Sequence, residues 1–159
     1  MGSSNDIEFH FYELPKSVNG LYYTRGARRV LTAVGKRYKN AFISSRGGLT
    51  AAQLMSFRPD PDGTYALDLW FFVEPERLYN FTYGSDKRVL SPYKDFDASN
   101  LIKLAEDAVA ELLGIRDRNN FDVSSHKRSS LGKELTVARV ALTHNIDDRT
   151  NPWLHLTSC

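Results

Sequence analysis

Asp95-Phe96-Asp97-Ala98-Ser99-Asn100-Leu101-Ile102-Lys103-Leu104-Ala105-Glu106-Asp107-Ala108 sets carboxylates, an amide and a lysine at the start of an amphipathic helix. Leu101, Leu104, Ala105, Ala108 and Leu112 recur at helical spacing as one apolar stripe, so a helix is expected over residues 97–113. Asp97 or Ser99 suits its N-cap, because a short side-chain oxygen accepts from an otherwise unpaired backbone N–H. Gly114 suits its end, where the chain must turn left-handed. A helix with one apolar stripe needs a partner layer.

The flanking sequence supplies strands for that layer. Residues 7–13 (IEFHFYE) alternate and are rich in aromatic side chains, as a strand does. Residues 64–73 (TYALDLWFFV) are nearly continuously apolar, so this strand is expected in the middle of a sheet. Residues 121–127 and 135–142 alternate around Ser129-Ser130-Leu131-Gly132-Lys133 and read as an antiparallel hairpin. A second helix is expected over residues 32–44, with Val34, Tyr38 and Phe42 inward. Residues 21–29 are expected to be irregular, and residues 50–57 fit either a short helix or a strand. Pro59-Asp60-Pro61-Asp62-Gly63 is a turn. Residues 74–93 are polar, aromatic and without pattern, which reads as a long surface loop with room for a short hairpin. The expected whole is one α+β domain over residues 7–145, a mixed sheet packed by about two main helices. Residues 1–6 are expected to be a disordered start or a tag remnant, and residues 146–159 a C-terminal tail.

Composition narrows the class. A chain of 159 residues can bury a core of its own. No apolar run approaches the ~20 residues of a membrane span, so no membrane partner is expected. No charged segment followed by an apolar run opens the chain, which points away from secretion. The single cysteine, Cys159, cannot staple the fold or anchor zinc alone, and it suits a reducing cytoplasm.

Charge is unevenly placed. Between Leu14 and Pro59 there is no Asp or Glu, while Lys16, Arg25, Arg28, Arg29, Lys36, Arg37, Lys39, Arg46 and Arg58 all fall there. A segregated basic segment is the footprint of a polyanion ligand. A solvated basic face without a ligand gives the same pattern.

The helix itself carries the chemistry. Asp97, Asn100, Lys103 and Asp107 share one side of it, and Asp95 precedes it by an extended step. Clustered oxygen ligands suit a hard divalent cation. Phosphodiester cleavage needs such a cation, with further positive charge for the transition state. The simpler alternative is an N-cap plus an i,i+4 surface pair worth about 0.3–0.5 kcal/mol. Asp117 lies beyond Gly114 between Arg116 and Arg118, cations that keep a ligand carboxylate ionised. A returning strand is one way to bring Asp117 or Asp122 back to the helix start. His10, His126, His144 and His155 have no metal spacing, and His126 reads as a sheet-surface residue. No nucleophile motif, Walker-type loop or CxxC occurs; Gly47-Gly48 lacks the phosphate-loop pattern.

In order, Pro15-Lys16-Ser17-Val18-Asn19 with Tyr22, Tyr23 and Arg25, then Gly35-Lys36-Arg37-Tyr38, then Asp97-Ala98-Ser99-Asn100-Leu101-Ile102-Lys103 with Asp107, then Asp117-Arg118-Asn119-Asn120-Phe121 and Lys127, resemble the RusA family of Holliday junction resolvases. The resemblance covers roughly residues 8–145. It departs at Ser99 and Arg118, where the family has acids, and in the longer stretch of residues 74–93.

The resemblance implies a homodimeric, Mg²⁺-dependent endonuclease, with Mn²⁺ as substitute, that resolves four-way junctions and other branched DNA by paired nicks. It implies a bacterial cytoplasm, with the gene often carried by a phage or prophage. By position, Asp97 and Asp117 would hold the metal, with Asp95 a third ligand. Lys103 would stabilise charge on the phosphoryl group. Asn19, Arg25, Arg28, Arg29, Lys36 and Lys127 would lie along the DNA. Two other readings stand beside it. One is a DNA-structure-binding protein of the same fold without cleavage, given Ser99 and Arg118. The other is a small-molecule enzyme with a metal–carboxylate site, which leaves the basic segment unexplained.

Overall fold

A computed structural model describes residues 6–16 and 22–144, and only the backbone of Asp117, Asn120, Phe121 and His144. Asn19, residues 1–5 and the tail beyond His144 lie outside it. In chain order come β1 (Asp6–Phe11), β2 (Tyr22–Arg25), β3 (Arg28–Leu31), α1 (Ala33–Ser44), α2 (Ala51–Ser56) and β4 (Thr64–Val73). Then follow α3 (Pro75–Leu78), α4 (Ser99–Leu113), β5 (Asn120–Ser129) and β6 (Leu135–His144). One mixed sheet has the order β1-β6-β4-β5, and β2 with β3 forms a separate hairpin. The domain is therefore α+β, with α1 and α4 as its longer helices.

Strand β4 organises the sheet. Tyr65, Leu67, Leu69, Phe71 and Val73 face one side and are fully buried. Ala66, Asp68, Trp70 and Phe72 face the other and are half-buried. The strand is central, as expected, but its burial alternates instead of covering both faces. Trp70 stacks on His126 with ring centroids 5.2 Å apart, so this histidine does belong to the sheet surface. Beside it, the Ser124 hydroxyl donates to Asp68.

The helices cover the buried side. Leu101, Leu104, Ala105 and Ala108 of α4 are buried, each leucine worth about 1.5–3 kcal/mol relative to exposure. Leu112 is half-buried, and Val109, Ala110 and Leu113 join the buried side. In α1, Tyr38 and Phe42 are buried but Val34 is 47% exposed, because Gly35 takes the inward place in the first turn. Phe42 lies 5.5 Å from Phe9 and 5.2 Å from Phe11 between ring centroids, which packs α1 on β1. Lys39 pairs with Glu111, tying α1 to α4.

The structure corrects two further expectations. β5 and β6 are not a hairpin, because β4 lies between them, parallel to β5 and antiparallel to β6. Parallel neighbours need a crossover, and α4 supplies it between β4 and β5. The link from β5 to β6 passes the end of β4, where Ser130 N–H donates to Val73 O at 2.8 Å. The segment expected to be irregular holds the β2–β3 hairpin, with Gly26 at φ 62° in its turn. Its residues are mostly exposed, so no buried alternation marks it in the sequence. The ambiguous residues 50–57 form α2, closed by a capping box between Thr50 and Gln53. In the long loop, α3 is followed by an antiparallel bridge between Tyr79 and Tyr93. Among the described residues no helix is long and apolar enough to cross a membrane.

Candidate functional site

The start of α4 opens onto a cleft of about 680 Å³. Asp95, Phe96, Asp97 and Asn100 form one wall. Lys16 after β1, Arg77 from α3, Lys94 from the long loop and Lys127 from β5 stand around them. Segments far apart in the chain thus bring cations to a pair of carboxylates.

Local bonds fix that arrangement. Asp97 Oδ1 accepts from the Ser99 N–H at 2.9 Å and from the Ser99 hydroxyl at 2.7 Å. Ala98, the residue before α4, already has helical dihedrals (φ −64°, ψ −27°), so Asp97 stands in the capping place and its bond to the Ser99 N–H caps the helix. Its Oδ2 accepts only a long contact from Asn100 Nδ2, 3.4 Å, among the described residues. The Ser99 hydroxyl, then the Ser99 N–H, and more weakly the charge of Lys127 hold the Asp97 carboxyl below its ordinary range.

The cations are held in place too. Lys127 Nζ donates to Phe96 O at 2.8 Å. Lys94 Nζ donates to Glu76 O at 2.5 Å. Arg77 binds both oxygens of Glu134, at 2.7 and 2.8 Å, and lies 5.2 Å from the centre of the Phe96 ring. Lys127 Nζ stands 6.0 Å from that ring. Phe96 thus serves two cations through its π-face.

Asp97, Asp95 and Lys127 come together in this cleft. Lys103 does not line this cleft: its ammonium pairs with Asp107 at 2.8 Å, the i,i+4 alternative read from the sequence. Asp107 also accepts from the Tyr22 hydroxyl at 3.2 Å, which docks the β2–β3 hairpin against the polar side of α4. Burial first, then the Asp107 charge, push the Tyr22 phenol up. Arg29 sits over the Tyr22 ring at 5.2 Å. Arg25 and Arg28 are exposed and face each other across the hairpin, a like-charge pair that costs stability without an anion nearby. Lys36 is exposed on the first turn of α1.

Asp117 is held elsewhere. It opens the short turn Asp117–Asn119 beyond the far end of α4. Fifteen helical residues span about 22 Å, and β5 takes about as long to run from Asn120 beside Tyr65 to Lys127 beside Phe71. Asp122 pairs with Ala66 near the same remote end. Within one chain, then, Asp97 and Asp117 are not gathered, and β5 brings Lys127 to the cleft instead of either acid. Among the described residues no three His, Cys, Asp or Glu side chains are grouped to hold a metal. Two carboxylates in one cleft still suit Mg²⁺, which takes one or two and keeps several waters.

Arg77 and Lys94 are the cleft residues that sequence reading missed. Arg77 sits in the stretch read as a patternless loop and Lys94 just after it, and no spacing links them to Lys127. No family model matches the chain, and no curated protein matches it.

Proposed function

We propose that this protein is a metal-dependent endonuclease of branched DNA, acting as a homodimer in the manner of the RusA-like resolvases it resembles. The observation that carries this reading is the cleft at the start of α4, where Asp95 and Asp97 stand among Lys16, Arg77, Lys94 and Lys127. Carboxylates alone attract a cation, and lysines alone attract a phosphate. Together in one cleft they suit a phosphodiester with its metal. Asp97, with Asp95, would hold Mg²⁺, which supplies a Lewis acid for the scissile phosphate. Ser99 keeps Asp97 ionised for that task. Lys94 and Lys127 would hold the phosphates on either side, and Phe96 keeps Arg77 and Lys127 aimed. The exposed arginines of the β2–β3 hairpin would extend the contact along the duplex. For Lys103 to steady charge on a phosphoryl group, it must first exchange Asp107. Two chains match the two-fold symmetry of a four-way junction and allow paired nicks.

A second reading, binding of branched DNA without cleavage, draws on the remote position of Asp117 and on the engagement of Asp97 as a helix cap. A labelled four-way junction, incubated with the protein with and without Mg²⁺ and titrated separately in EDTA, separates the two. Mg²⁺-dependent nicks support the nuclease. Tight junction binding without nicks supports the second reading, and no preference for branched DNA over duplex sinks both.

A further inference from the structure

The long loop between α3 and α4 is not a passive connection. Its neck is a short ladder: Asn80 N–H donates to Pro92 O at 2.8 Å and Lys94 N–H to Leu78 O at 2.9 Å. Asn80 Nδ2 adds bonds to Ser91 O and Tyr93 O, at 2.8 and 3.1 Å. This neck presents aromatic rings to solvent. Tyr93 is 66% and Tyr79 36% exposed, with their ring centroids 6.2 Å apart. Neighbouring aromatic rings exposed on a tied loop mark a surface for interaction.

What lines the groove with these rings narrows the occupant. A groove of about 160 Å³ is lined by Tyr79 and Tyr93 together with Lys94, Lys127 and Arg128. No acidic residue lines it, so its charge favours an anion. It shares Lys94 and Lys127 with the larger cleft, so a strand leaving that cleft meets the groove next. It is far smaller than the cleft, which fits one flat ring and not a stacked pair. A ring platform beside cations recognises the base and the phosphate of single-stranded nucleic acid without regard to sequence.

We propose that the groove between Tyr79 and Tyr93 takes one unpaired nucleotide, its base on the tyrosine rings and its phosphate on Lys94, Lys127 and Arg128. The site distinguishes a strand at a branch point from one inside a duplex, where the base is stacked and out of reach. It rests on the proposed nuclease only for which strand is held.

The test uses the full chain in EDTA, so that cleavage plays no part. The probes are a duplex with one unpaired 2-aminopurine, the same duplex fully paired, and a four-way junction. Wild type should quench the unpaired 2-aminopurine and prefer that duplex over the paired one. Tyr93→Leu should lose the quenching and about tenfold of that preference, a loss within the range for one stacked base. Tyr93→Phe, which keeps the ring, and Tyr83→Leu, an exposed aromatic outside the groove, should behave as wild type. Circular dichroism checks that each variant is folded. Unchanged quenching and preference in folded Tyr93→Leu overturn the proposal even where Mg²⁺ yields nicks. Ring-dependent preference supports it even where no nick is ever seen.

Discussion

Two jobs would compete at Asp97. As the cap of α4 it accepts two hydrogen bonds from Ser99 on one oxygen, and as the proposed cation ligand it would have to offer the other. Those bonds favour the charged carboxylate, so Asp97 titrates below its ordinary range. The stabilisation they give is complete above the ordinary carboxylate value and is lost as pH falls through the lowered one. Ser99→Ala should therefore raise the Asp97 carboxyl toward the ordinary range, as read by NMR titration of the metal-free protein. An unmoved titration would place the cause outside the Ser99 hydroxyl. A second residue-scale effect concerns Gly48, with φ +87°, where an added Cβ would stand 2.1 Å from His10 O. Gly26, with φ +62°, has open space around it. Gly48→Ala should cost about 3 kcal/mol or more and Gly26→Ala about 1 kcal/mol, measured by urea unfolding. Equal costs would mean that β1 moves aside freely. The Gly47-Gly48 pair thus serves close backbone approach, consistent with its lack of a phosphate-loop pattern.

At the scale of elements, the β2–β3 hairpin carries a like-charge pair across its strands. Arg25 opposite Arg28 lowers stability unless a polyanion lies over the pair. Replacing Arg25, Arg28 and Arg29 together with Gln should weaken junction binding. It should also flatten the slope of log affinity against log salt by about 2–3, roughly one for each phosphate that is no longer neutralised. An unchanged slope would turn this hairpin away from the DNA. Elements differ in how far the sequence announces them. The stripe of α4, the alternation of β1 and the apolar run of β4 are local signals, and each element lies where its pattern puts it. The capping box Thr50-x-x-Gln53 is equally local and resolves residues 50–57 as helix. The β2–β3 hairpin has no such signal, because neither strand buries a face.

Across the whole molecule, pairing partners are set by what the sheet as a unit must bury, which no local window contains. β5 and β6 each alternate, and their short link invites a hairpin. Yet β4 has a neighbour on both edges, and it takes β5 on one and β6 on the other. The same insertion decides the site. It sends β5 from the Asp117 end of α4 to the Asp97 end and so delivers Lys127, not a third acid, to the cleft. Asp97 and Asp95 are legible in the sequence as neighbours of the α4 start. Arg77 and Lys94 are not, since only the fold returns α3 and the loop to that place.

The proposed activity places metal-dependent cleavage of branched DNA in the α4 cleft. The most direct measurement is strand-specific mapping of nicks in a labelled four-way junction, with Mg²⁺, by wild type and by Asp97→Asn, with binding of both measured in EDTA. Wild type is expected to place symmetrical nicks in paired strands. Asp97→Asn, which removes a ligand charge and little shape, is expected to bind the junction as tightly and to lose about a hundredfold or more of the rate, as removing a key electrostatic group does. Undiminished Mg²⁺-dependent nicking by Asp97→Asn would remove the α4 cleft from catalysis.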